Sequence, residues 1–306
     1  MHIVIPDHLP LSEEIKNKLE ALGADIYDDN PSEVQLKERI KDAELITVNY
    51  FDATKEIIDA APNLKYIVVP AVGYEWIDYK YARTKNIDVI NCPTFNSHAV
   101  AEHAVGLMLA TSRNFAYAQK SMTESRWESG KITGIELTGK KLGLIGYGNI
   151  GKRIEKLVSG FSMQVSYVNS KSSTEDLDTL LAQSDVVCVC APLTESTKNL
   201  LSADKLNLLK QNTVFINVGR GEIVDQKALK DLASRGRLRL GLDVFTDEPL
   251  TGTPSNEIVE IANLPNAITT PHIGYNTEEA TQRLSDELFA NIDACLKGEP
   301  INVVNR

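Results

Sequence analysis

Three polar residues, Arg220, Glu248 and His272, each follow an apolar segment in the second half of the chain, and their side chains could reduce a carbonyl group. An arginine can bind a carboxylate by two parallel hydrogen bonds, and a histidine can give or take the proton that accompanies hydride transfer. A glutamate beside that histidine would orient its ring and stabilise its protonated form. These roles fit a 2-oxo acid whose carboxylate is held by Arg220 and whose carbonyl oxygen receives a proton from His272.

Each of the three residues also has an ordinary structural explanation. Arg220 could neutralise a helix end, Glu248 could be a loop charge, and His272 could be a partly buried imidazole with satisfied hydrogen bonds. Their joint placement after successive predicted strands of one domain favours catalysis, because the carboxyl ends of parallel strands meet at one edge of a sheet.

A glycine-rich segment, GYGNIG (146–151), lies between a predicted strand and a predicted helix. In that setting the first glycine permits a tight turn, the second lets the backbone approach a pyrophosphate, and the third lets the helix pack on the strand. The helix N-terminus would then face the phosphates. A glycine turn without a ligand is the alternative, but the context favours a dinucleotide site. Its predicted members are Gly146, Gly148, Asn149, Ile150 and Gly151.

The position that usually binds the adenosine ribose lacks an acid. An acidic residue is expected about 20 residues after the glycine motif, but the segment there reads YVNSKSS (167–173). Asn169 is neutral, and Lys171 with the flanking serines, Ser170 among them, could hold a 2′-phosphate. We therefore expect NAD or NADP as the cofactor, with NADP favoured. The alternative is that Asn169 binds a plain ribose and Lys171 is a solvated charge.

The elements that position these residues are alternating strands and helices, which predict an α/β protein with parallel sheets covered on both faces. One series ends near residue 96, and a long, mostly apolar helix over 97–115 precedes a second series. Two such series predict two βαβ domains and a cleft at the carboxyl ends of their strands. The predicted strands are 2–5, 45–48, 66–69, 88–90, 141–146, 164–168, 185–190, 213–218, 238–244 and 267–270. The predicted helices are 12–22, 33–40, 97–115, 150–159, 176–182, 203–209, 226–234 and 278–296.

Composition excludes several other classes of protein. The 306 residues include 32 Lys+Arg and 42 Asp+Glu, a net charge of −10, which argues against nonspecific binding to nucleic acid or an anionic membrane. No apolar stretch reaches the roughly 20 residues of a membrane span, and the start of the chain lacks a signal-peptide pattern. The four cysteines show no zinc spacing, so we expect reduced thiols and a cytoplasmic location. His98 and His103 lie five positions apart on the predicted long helix and share no face, so no metal site is expected.

Five segments of this sequence resemble the D-isomer-specific 2-hydroxyacid dehydrogenase family, and the similarity extends over nearly the whole chain. It implies a Rossmann-type cofactor domain, residues 97–275 with the long linking helix, inserted in a flavodoxin-like substrate domain, residues 1–96 plus 276–306. It also implies hinge closure, a homodimer, and an oxidoreductase that interconverts a 2-oxo acid and a D-2-hydroxy acid. We expect Arg113 to belong to the long helix and Trp127 to a dimer arm. The segments are GYGNIG (146–151), APLTESTKNLLS (191–202), INVGRGEIVD (216–225), GLDVFTDEP (241–249) and TPHIG (270–274).

The resemblance assigns roles to matching residues. In the family, the arginine of GRG binds the substrate carboxylate, the histidine after Thr-Pro is the general acid/base, and the glutamate before proline pairs with it. Those positions are Arg220, His272 and Glu248. The aspartate of LDVF binds the nicotinamide carboxamide, which is Asp243 here. The remaining cofactor-lining positions are Cys190, Pro192, Thr197 and Val218.

The resemblance also indicates substrate-binding positions. Val72 and Gly73 match a first-domain loop whose amides help to bind the substrate carboxylate, although Trp76 replaces a small polar residue of that loop. Tyr50 and Tyr275 are candidate pocket walls, which would suit an apolar side chain such as that of pyruvate or a branched 2-oxo acid. Ordinary packing of these two aromatic residues is the alternative.

Two other functions fit part of the pattern. Relatives of this family act as nucleotide-sensing corepressors, and phosphite-type dehydrogenases keep a similar Arg, Glu and His set, whereas formate-type sites replace the glutamate. The presence of Arg220, Glu248 and His272 together favours an enzyme over a sensor. A panel of substrates is needed to separate the 2-oxo acid and phosphite alternatives.

Overall fold

The computed structural model describes residues 1–249 and 252–306. The chain forms two compact units, of which the first combines Met1–Asn96 with Asn276–Arg306 and the second is Ser97–Tyr275. Each unit contains one parallel sheet with helices between successive strands. This arrangement confirms the prediction of an α/β protein built from two βαβ domains.

Residues 1–96 alternate short buried strands with helices. Helices α1 and α2 begin where serine side chains cap them: Ser12 accepts from the Ile15 amide, and Ser32 forms a capping box with Gln35. The strands are β1 (Ile3–Ile5), β2 (Asp25–Ile26), β3 (Leu45–Thr47), β4 (Tyr66–Val69) and β5 (Asp88–Asn91). The helices are α1 (Glu13–Ala21), α2 (Glu33–Ile40), α3 (Lys55–Asp59) and α4 (Tyr79–Thr84).

The second unit repeats the alternation with longer helices. The last helix of the chain follows the second unit in sequence but belongs to the first unit. The strands are β6 (Lys141–Ile145), β7 (Gln164–Val168), β8 (Val186–Val189), β9 (Thr213–Asn217), β10 (Leu238–Leu242) and β11 (Ala267–Thr269). The helices are α5 (Ser97–Ser112), α6 (Phe115–Thr123), α7 (Asn149–Val158), α8 (Thr174–Gln183), α9 (Ala203–Asn207), α10 (Gln226–Ser234), α11 (Asn256–Ala262) and α12 (Glu278–Leu296).

The sheet of the first unit has the order β2-β1-β3-β4-β5, which is the flavodoxin-like order. Helix α12 packs against β4 and α1. The C-terminal residues then return to the edge strand: the Val304 amide donates to the Val89 carbonyl oxygen at 2.8 Å, and the Val89 amide donates to Asn305 Oδ1 at 2.9 Å. Both ends of the chain therefore build this unit.

The sheet of the second unit has the order β11-β10-β9-β8-β6-β7. The chain leaves β7 through α8 and returns to the other side of β6, so the order reverses at β6, where the glycine loop begins. This is a Rossmann-type, doubly wound sheet, but the described residues add no strand beyond β7, unlike the common order 3-2-1-4-5-6. Apolar side chains fill both faces of the sheet, as a buried parallel sheet requires.

The long helix ends earlier than its sequence predicts. The apolar pattern predicts a helix over 97–115, but α5 stops at Ser112, and Asn114 adopts a left-handed conformation with φ of 55° before α6 begins. Asparagine tolerates this conformation better than most residues. Its side chain is anchored on both sides, because Nδ2 donates to the Thr133 carbonyl oxygen at 2.8 Å and Oδ1 accepts from Arg239 at 2.6 Å.

Several boundaries differ from the predicted ones. The sequence analysis does not predict β2, α3, α4, α6 or α11; all of these except α6 are short and carry little periodic signal. Strands β8 and β10 end one or two residues before the predicted limits of 190 and 244. Cys190 and Asp243, which follow them, therefore lie in the loops at the carboxyl edge of the sheet.

Candidate active site

The glycine loop joins β6 to α7, and its three glycines occupy different surroundings. Gly146 has φ of 102°, and a Cβ on it would lie 2.7 Å from the amide nitrogen of Ala191. A Cβ on Gly151 would lie 2.6 Å from the carbonyl oxygen of Gly146, so the first turn of α7 packs directly on the loop. Among the described residues, and apart from the adjoining backbone, no atom lies within 4 Å of a Cβ built on Gly148. The second glycine thus borders open space, as close approach of a pyrophosphate requires.

The N-terminus of α7 is free to receive an anion. The helix begins at Asn149, and its N-cap residue Gly148 supplies no side-chain cap. The first amides of a helix, here those of Asn149, Ile150 and Gly151, have no acceptor within the helix and lie at the positive end of its dipole. These amides and the open space beside Gly148 fit the pyrophosphate of a dinucleotide.

The turn after β7 presents a lysine where an acid is usual. Asn169 Oδ1 accepts from the Lys171 amide at 2.9 Å, and the Asn169 amide donates to Ser172 Oγ at 3.1 Å, so the asparagine side chain shapes the turn. The side chains of Asn169, Ser170 and Lys171 are exposed. The described part of the chain shows no ion pair to Lys171. The turn therefore offers a cation and hydroxyl groups, with no carboxylate at position 169.

The loop after β8 contacts the glycine loop. The Cys190 thiol donates to the carbonyl oxygen of Gly146 at 3.1 Å. Thr197 Oγ1 donates to the Pro192 carbonyl oxygen at 2.7 Å, which closes a compact turn at an exposed part of the same loop. At the end of the neighbouring β9, the Val218 amide donates to the Val189 carbonyl oxygen at 3.0 Å. Cys190 is thus brought against the glycine loop, while Pro192 and Thr197 lie further along the loop.

Arg220 follows β9 on a backbone that is fixed on both sides. The buried Asn217 side chain accepts from the Gly219 amide at 3.0 Å and donates to the carbonyl oxygen of Arg220 at 3.0 Å. A Cβ on Gly221 would lie 2.0 Å from the carbonyl carbon of Phe245, so no larger residue fits there. The half-buried guanidinium donates from Nη1 to the Gly219 carbonyl oxygen at 2.9 Å.

His272 and Glu248, which are 24 positions apart in the chain, form a close pair. His272 Nδ1 lies 2.6 Å from Glu248 Oε2, and the other carboxylate oxygen accepts from the Phe245 amide at 2.6 Å. A carboxylate only accepts hydrogen bonds, so Nδ1 carries a hydrogen. Residues 1–249 and 252–306 supply no hydrogen-bond partner for Nε2, which leaves that atom able to exchange a proton with a ligand.

Asp243 is buried, with 2% of its surface exposed, and both of its oxygens accept hydrogen bonds. Oδ1 accepts from Thr270 Oγ1 at 2.6 Å and from the Ile273 amide at 2.9 Å, and Oδ2 accepts from the Gly274 amide at 2.9 Å. Burial raises the pKa of Asp243, but the hydrogen bonds outweigh burial and hold that pKa below its usual value. Asp243 is therefore an ionised group that binds the loop carrying His272.

His103 is a site residue that the sequence analysis missed. Its Nε2 lies 2.9 Å from Thr270 Oγ1 and 3.3 Å from Asp243 Oδ1. Helical spacing predicts only which nearby residues share a face with His103, and Thr270 is 167 positions away in the chain. Packing of α5 against β10 and β11 brings them together.

The predicted substrate-binding residues occupy both units. In the first unit, the Tyr50 amide donates to Asp7 Oδ2 at 2.7 Å, and the Val72 carbonyl oxygen accepts from Asn91 Nδ2 at 2.7 Å, beside the buried Gly73. In the second unit, the Tyr275 ring stands edge-on to the His272 ring, with centroids 6.0 Å apart.

The fully buried Asp7 is a second residue that the sequence analysis missed. Burial raises its pKa to about 6, although the amides of Tyr50 and Asn49 donate to it. By accepting from these two amides, Asp7 fixes the backbone from which the Tyr50 side chain projects.

In the described residues, no three His, Cys, Asp or Glu side chains are grouped so that they could hold a metal ion. Helices long and apolar enough to cross a membrane are also absent from this part of the chain.

Residues 105–274 match a family model described as D-isomer specific 2-hydroxyacid dehydrogenase, NAD binding domain. A hydroxypyruvate reductase of Thermotoga maritima is 40% identical over 248 residues, which cover 78% of this chain and 80% of the relative.

Two solved structures resemble the chain over nearly its whole length. One is a D-lactate dehydrogenase from Aquifex aeolicus complexed with NAD and lactic acid, with a TM-score of 0.88, 30% identity and coverage of 100% of this chain and 99% of that one. The other is an acyclic imino acid reductase in complex with NADPH and D-Arg, with a TM-score of 0.90, 28% identity and coverage of 99% and 100%.

Proposed function

The chain belongs to the D-isomer specific 2-hydroxyacid dehydrogenase family, and from this premise we propose that it reduces a 2-oxo acid to a D-2-hydroxy acid with NADPH as the preferred reductant. It is a nicotinamide-dependent oxidoreductase acting between 2-oxo and 2-hydroxy acids. The observation that carries the finer proposal is the pair of His272 and Glu248, joined at 2.6 Å through Nδ1. That contact orients the ring and leaves Nε2 for the substrate.

Three residues of the second unit have separate roles in the proposed carbonyl reduction. The nicotinamide dinucleotide, when bound, supplies the hydride. Arg220 binds the substrate carboxylate and so holds the carbonyl carbon in place. His272 donates a proton from Nε2 to the carbonyl oxygen, and it takes that proton back in the reverse direction. Glu248 stabilises the ring while it is protonated, through the hydrogen bond to Nδ1.

We assign the remaining predicted residues to binding. Val72 and Gly73 contribute backbone groups toward the substrate carboxylate, and Tyr50 and Tyr275 contribute aromatic surface to the substrate side chain. Tyr275 is supported by its position beside the His272 ring. The residues assigned to the cofactor are Gly146, Gly148, Asn149, Ile150, Gly151, Asn169, Ser170, Lys171, Cys190, Pro192, Thr197, Val218 and Asp243.

The preference for NADPH rests on the turn after β7. A carboxylate at position 169 would bind the ribose hydroxyl groups of NADH and repel a 2′-phosphate, but Asn169 is neutral. Lys171 and Ser170 lie exposed in a turn that the Asn169 side chain holds in shape. Their charge and hydroxyl group suit a phosphate monoester.

We expect the purified protein to oxidise NADPH faster than NADH in the presence of a 2-oxo acid. Nicotinamide absorbance would be followed with glyoxylate, hydroxypyruvate, pyruvate, phenylpyruvate and 2-oxoisocaproate. Lys171→Ala should raise the KM for NADPH about tenfold, the value of one hydrogen bond to a charged group, and leave the KM for NADH unchanged. Lys227→Ala is a matched control, because Lys227 is exposed on α10, which packs on β10 toward the other edge of the sheet.

Other outcomes of this experiment discriminate between the proposals. Faster oxidation of NADH would refute the NADPH preference but would still support a 2-oxo acid reductase. Phosphite-dependent reduction of NAD⁺ or NADP⁺, without activity on any 2-oxo acid, would favour the phosphite-type dehydrogenase. Tight nucleotide binding with no turnover in either assay would favour the nucleotide-sensing protein.

We also propose that two copies of the chain form a homodimer through the region around α6. Phe115 and Met122 of α6 and Trp127 just after it are 56%, 55% and 82% exposed, and exposed large apolar side chains of this kind occur at protein–protein interfaces. Light scattering should give about twice the chain mass of 33.7 kDa, and Trp127→Glu should shift the protein toward monomer. Val34→Glu, at a residue of α2 that is 80% exposed, should leave the mass unchanged. A wild-type protein of single-chain mass would contradict the proposal.

A further inference from the structure

We propose that His103 is a positioning residue that acts through Thr270 and Asp243 to hold the loop 270–274 in the conformation that presents His272. The inference rests on the proposed function, because it concerns the placement of the proposed general acid. All four residues lie in the second unit. His103 touches neither the His272 ring nor a reacting atom in this scheme, so its effect is indirect.

The loop needs external support because His272 has an unfavourable backbone conformation. Its φ is 52°, a left-handed value that few residues other than glycine adopt readily. The His272 amide donates to the Asp243 carbonyl oxygen at 2.9 Å. The next two amides, of Ile273 and Gly274, donate to the two carboxylate oxygens of the same residue, each at 2.9 Å. One residue, Asp243, therefore holds three successive amides.

The directions of the hydrogen bonds follow from the charge of Asp243. The Asp243 carboxylate is ionised at neutral pH and can only accept, so Thr270 Oγ1 must donate its single hydrogen to Oδ1, 2.6 Å away. The Thr270 oxygen can then only accept from His103 Nε2 at 2.9 Å. His103 Nε2 must therefore carry a hydrogen. Of the two neutral tautomers of the ring, the network is compatible only with the one that carries hydrogen on Nε2.

The packing around Gly274 leaves little freedom for these groups to move. A Cβ on Gly274 would lie 2.8 Å from Asp243 Oδ2 and 3.4 Å from His103 Cδ2. The Asp243 carboxylate therefore contacts the loop backbone directly, and the imidazole lies where a side chain at position 274 would meet it. His103 Nε2 also lies 3.3 Å from Asp243 Oδ1, so the ring supports the buried charge as well as the Thr270 hydroxyl. Loss of the ring would remove a donor from this network and open space beside the loop.

The test compares disruptive and conservative variants at two positions of the network. Thr270→Val removes the hydroxyl but keeps the shape of the side chain, whereas Thr270→Ser retains the hydroxyl. His103→Leu removes the Nε2 donor, whereas His103→Gln places an amide donor at a similar reach. We expect Thr270→Val and His103→Leu to lower kcat about ten- to a hundredfold, the effect of losing one hydrogen bond to a charged network. The serine and glutamine variants should recover most of that loss.

A split between the kinetic constants separates positioning from general destabilisation. The KM for the 2-oxo acid should stay near the wild-type value in all four variants, because the contacts of Asn217 and Gly221 that fix the Arg220 backbone involve neither His103 nor Thr270. NADPH binding, measured by fluorescence titration, should likewise be retained. Equal losses in Thr270→Val and Thr270→Ser, or wild-type kcat in both Thr270→Val and His103→Leu, would overturn the proposal.

A second measurement does not depend on turnover. Long-range ¹H–¹⁵N NMR spectra of the ¹⁵N-histidine-labelled protein should show His103 as the tautomer with hydrogen on Nε2, and the signal would be assigned by its loss in His103→Gln. The Nδ1-protonated tautomer would refute the network. If His272→Gln kept full activity while His103 showed the expected tautomer, the proposed catalytic role of His272 would fail and the assigned hydrogen-bond network would stand.

Discussion

Replacing His272 by glutamine is expected to lower kcat for 2-oxo acid reduction by about 10²- to 10⁴-fold, the contribution typical of a positioned general acid. Glutamine keeps a polar side chain at the site but cannot deliver a proton to the carbonyl oxygen. The glycine loop, residues 146–151, is unaffected, so NADPH should bind with nearly unchanged affinity. Steady-state assays would give kcat, and fluorescence titration would give the Kd for NADPH.

Two further variants provide comparisons for His272→Gln. Glu248→Gln removes the charge of Glu248 and retains one oxygen, which can accept from His272 Nδ1 while the NH2 group replaces the oxygen that accepts from the Phe245 amide. We expect a loss of kcat smaller than that of His272→Gln. His2→Gln is the control for loss of a histidine. His2 lies in the first unit, just before β1, and its side chain forms a hydrogen bond with Asp25. A His272→Gln enzyme with near-normal turnover would remove His272 from the mechanism.

Replacing Arg220 by alanine is expected to raise the KM for the 2-oxo acid about a hundredfold. A guanidinium binds a carboxylate through two charge-assisted hydrogen bonds, and losing them weakens binding by about that factor. The fixed backbone at Asn217 and Gly221 should keep the loop folded in the variant. The KM would be measured with the best acid of the panel at saturating NADPH.

The specific role of the guanidinium is tested by two companions of Arg220→Ala. Arg220→Lys keeps the positive charge but loses the planar pair of donors, so its KM should fall between those of the wild-type and alanine enzymes. Arg235→Ala removes an exposed arginine at the end of α10 and should change neither constant. An unchanged KM in Arg220→Ala would assign carboxylate binding to another residue.

Local spacing was sufficient to predict the dinucleotide loop and the α/β alternation. Apolar runs of strand length alternate with capped helical segments, and GYGNIG spans the junction from the end of β6 into the first turn of α7. These features depend on residues that are neighbours in the chain, so propensity, capping and glycine conformations carry the information. The predicted limits of β7, α10 and α12 agree with the observed ones for the same reason.

The sequence placed Arg220, Glu248 and His272 after successive strands of one sheet, and the tertiary structure decided which of them meet. The order β11-β10-β9 puts the ends of those strands side by side, and the 2.6 Å contact between Glu248 and His272 follows from the path of the loops beyond them. Loop paths depend on packing across the sheet, such as that of Gly221 against Phe245. Strand patterns contain no such information.

Three further contacts were revealed only by the tertiary structure. The break at Asn114, the support of Tyr50 by Asp7 and the network of His103 each join residues that are distant in the chain. A helical pattern indicates which residues of α5 share a face, but not which loop that face meets. The sequence by itself determined the local elements and the types of chemistry available. Burial and close packing decided which polar groups became partners, because a buried polar group is stable only where a partner lies within hydrogen-bond distance.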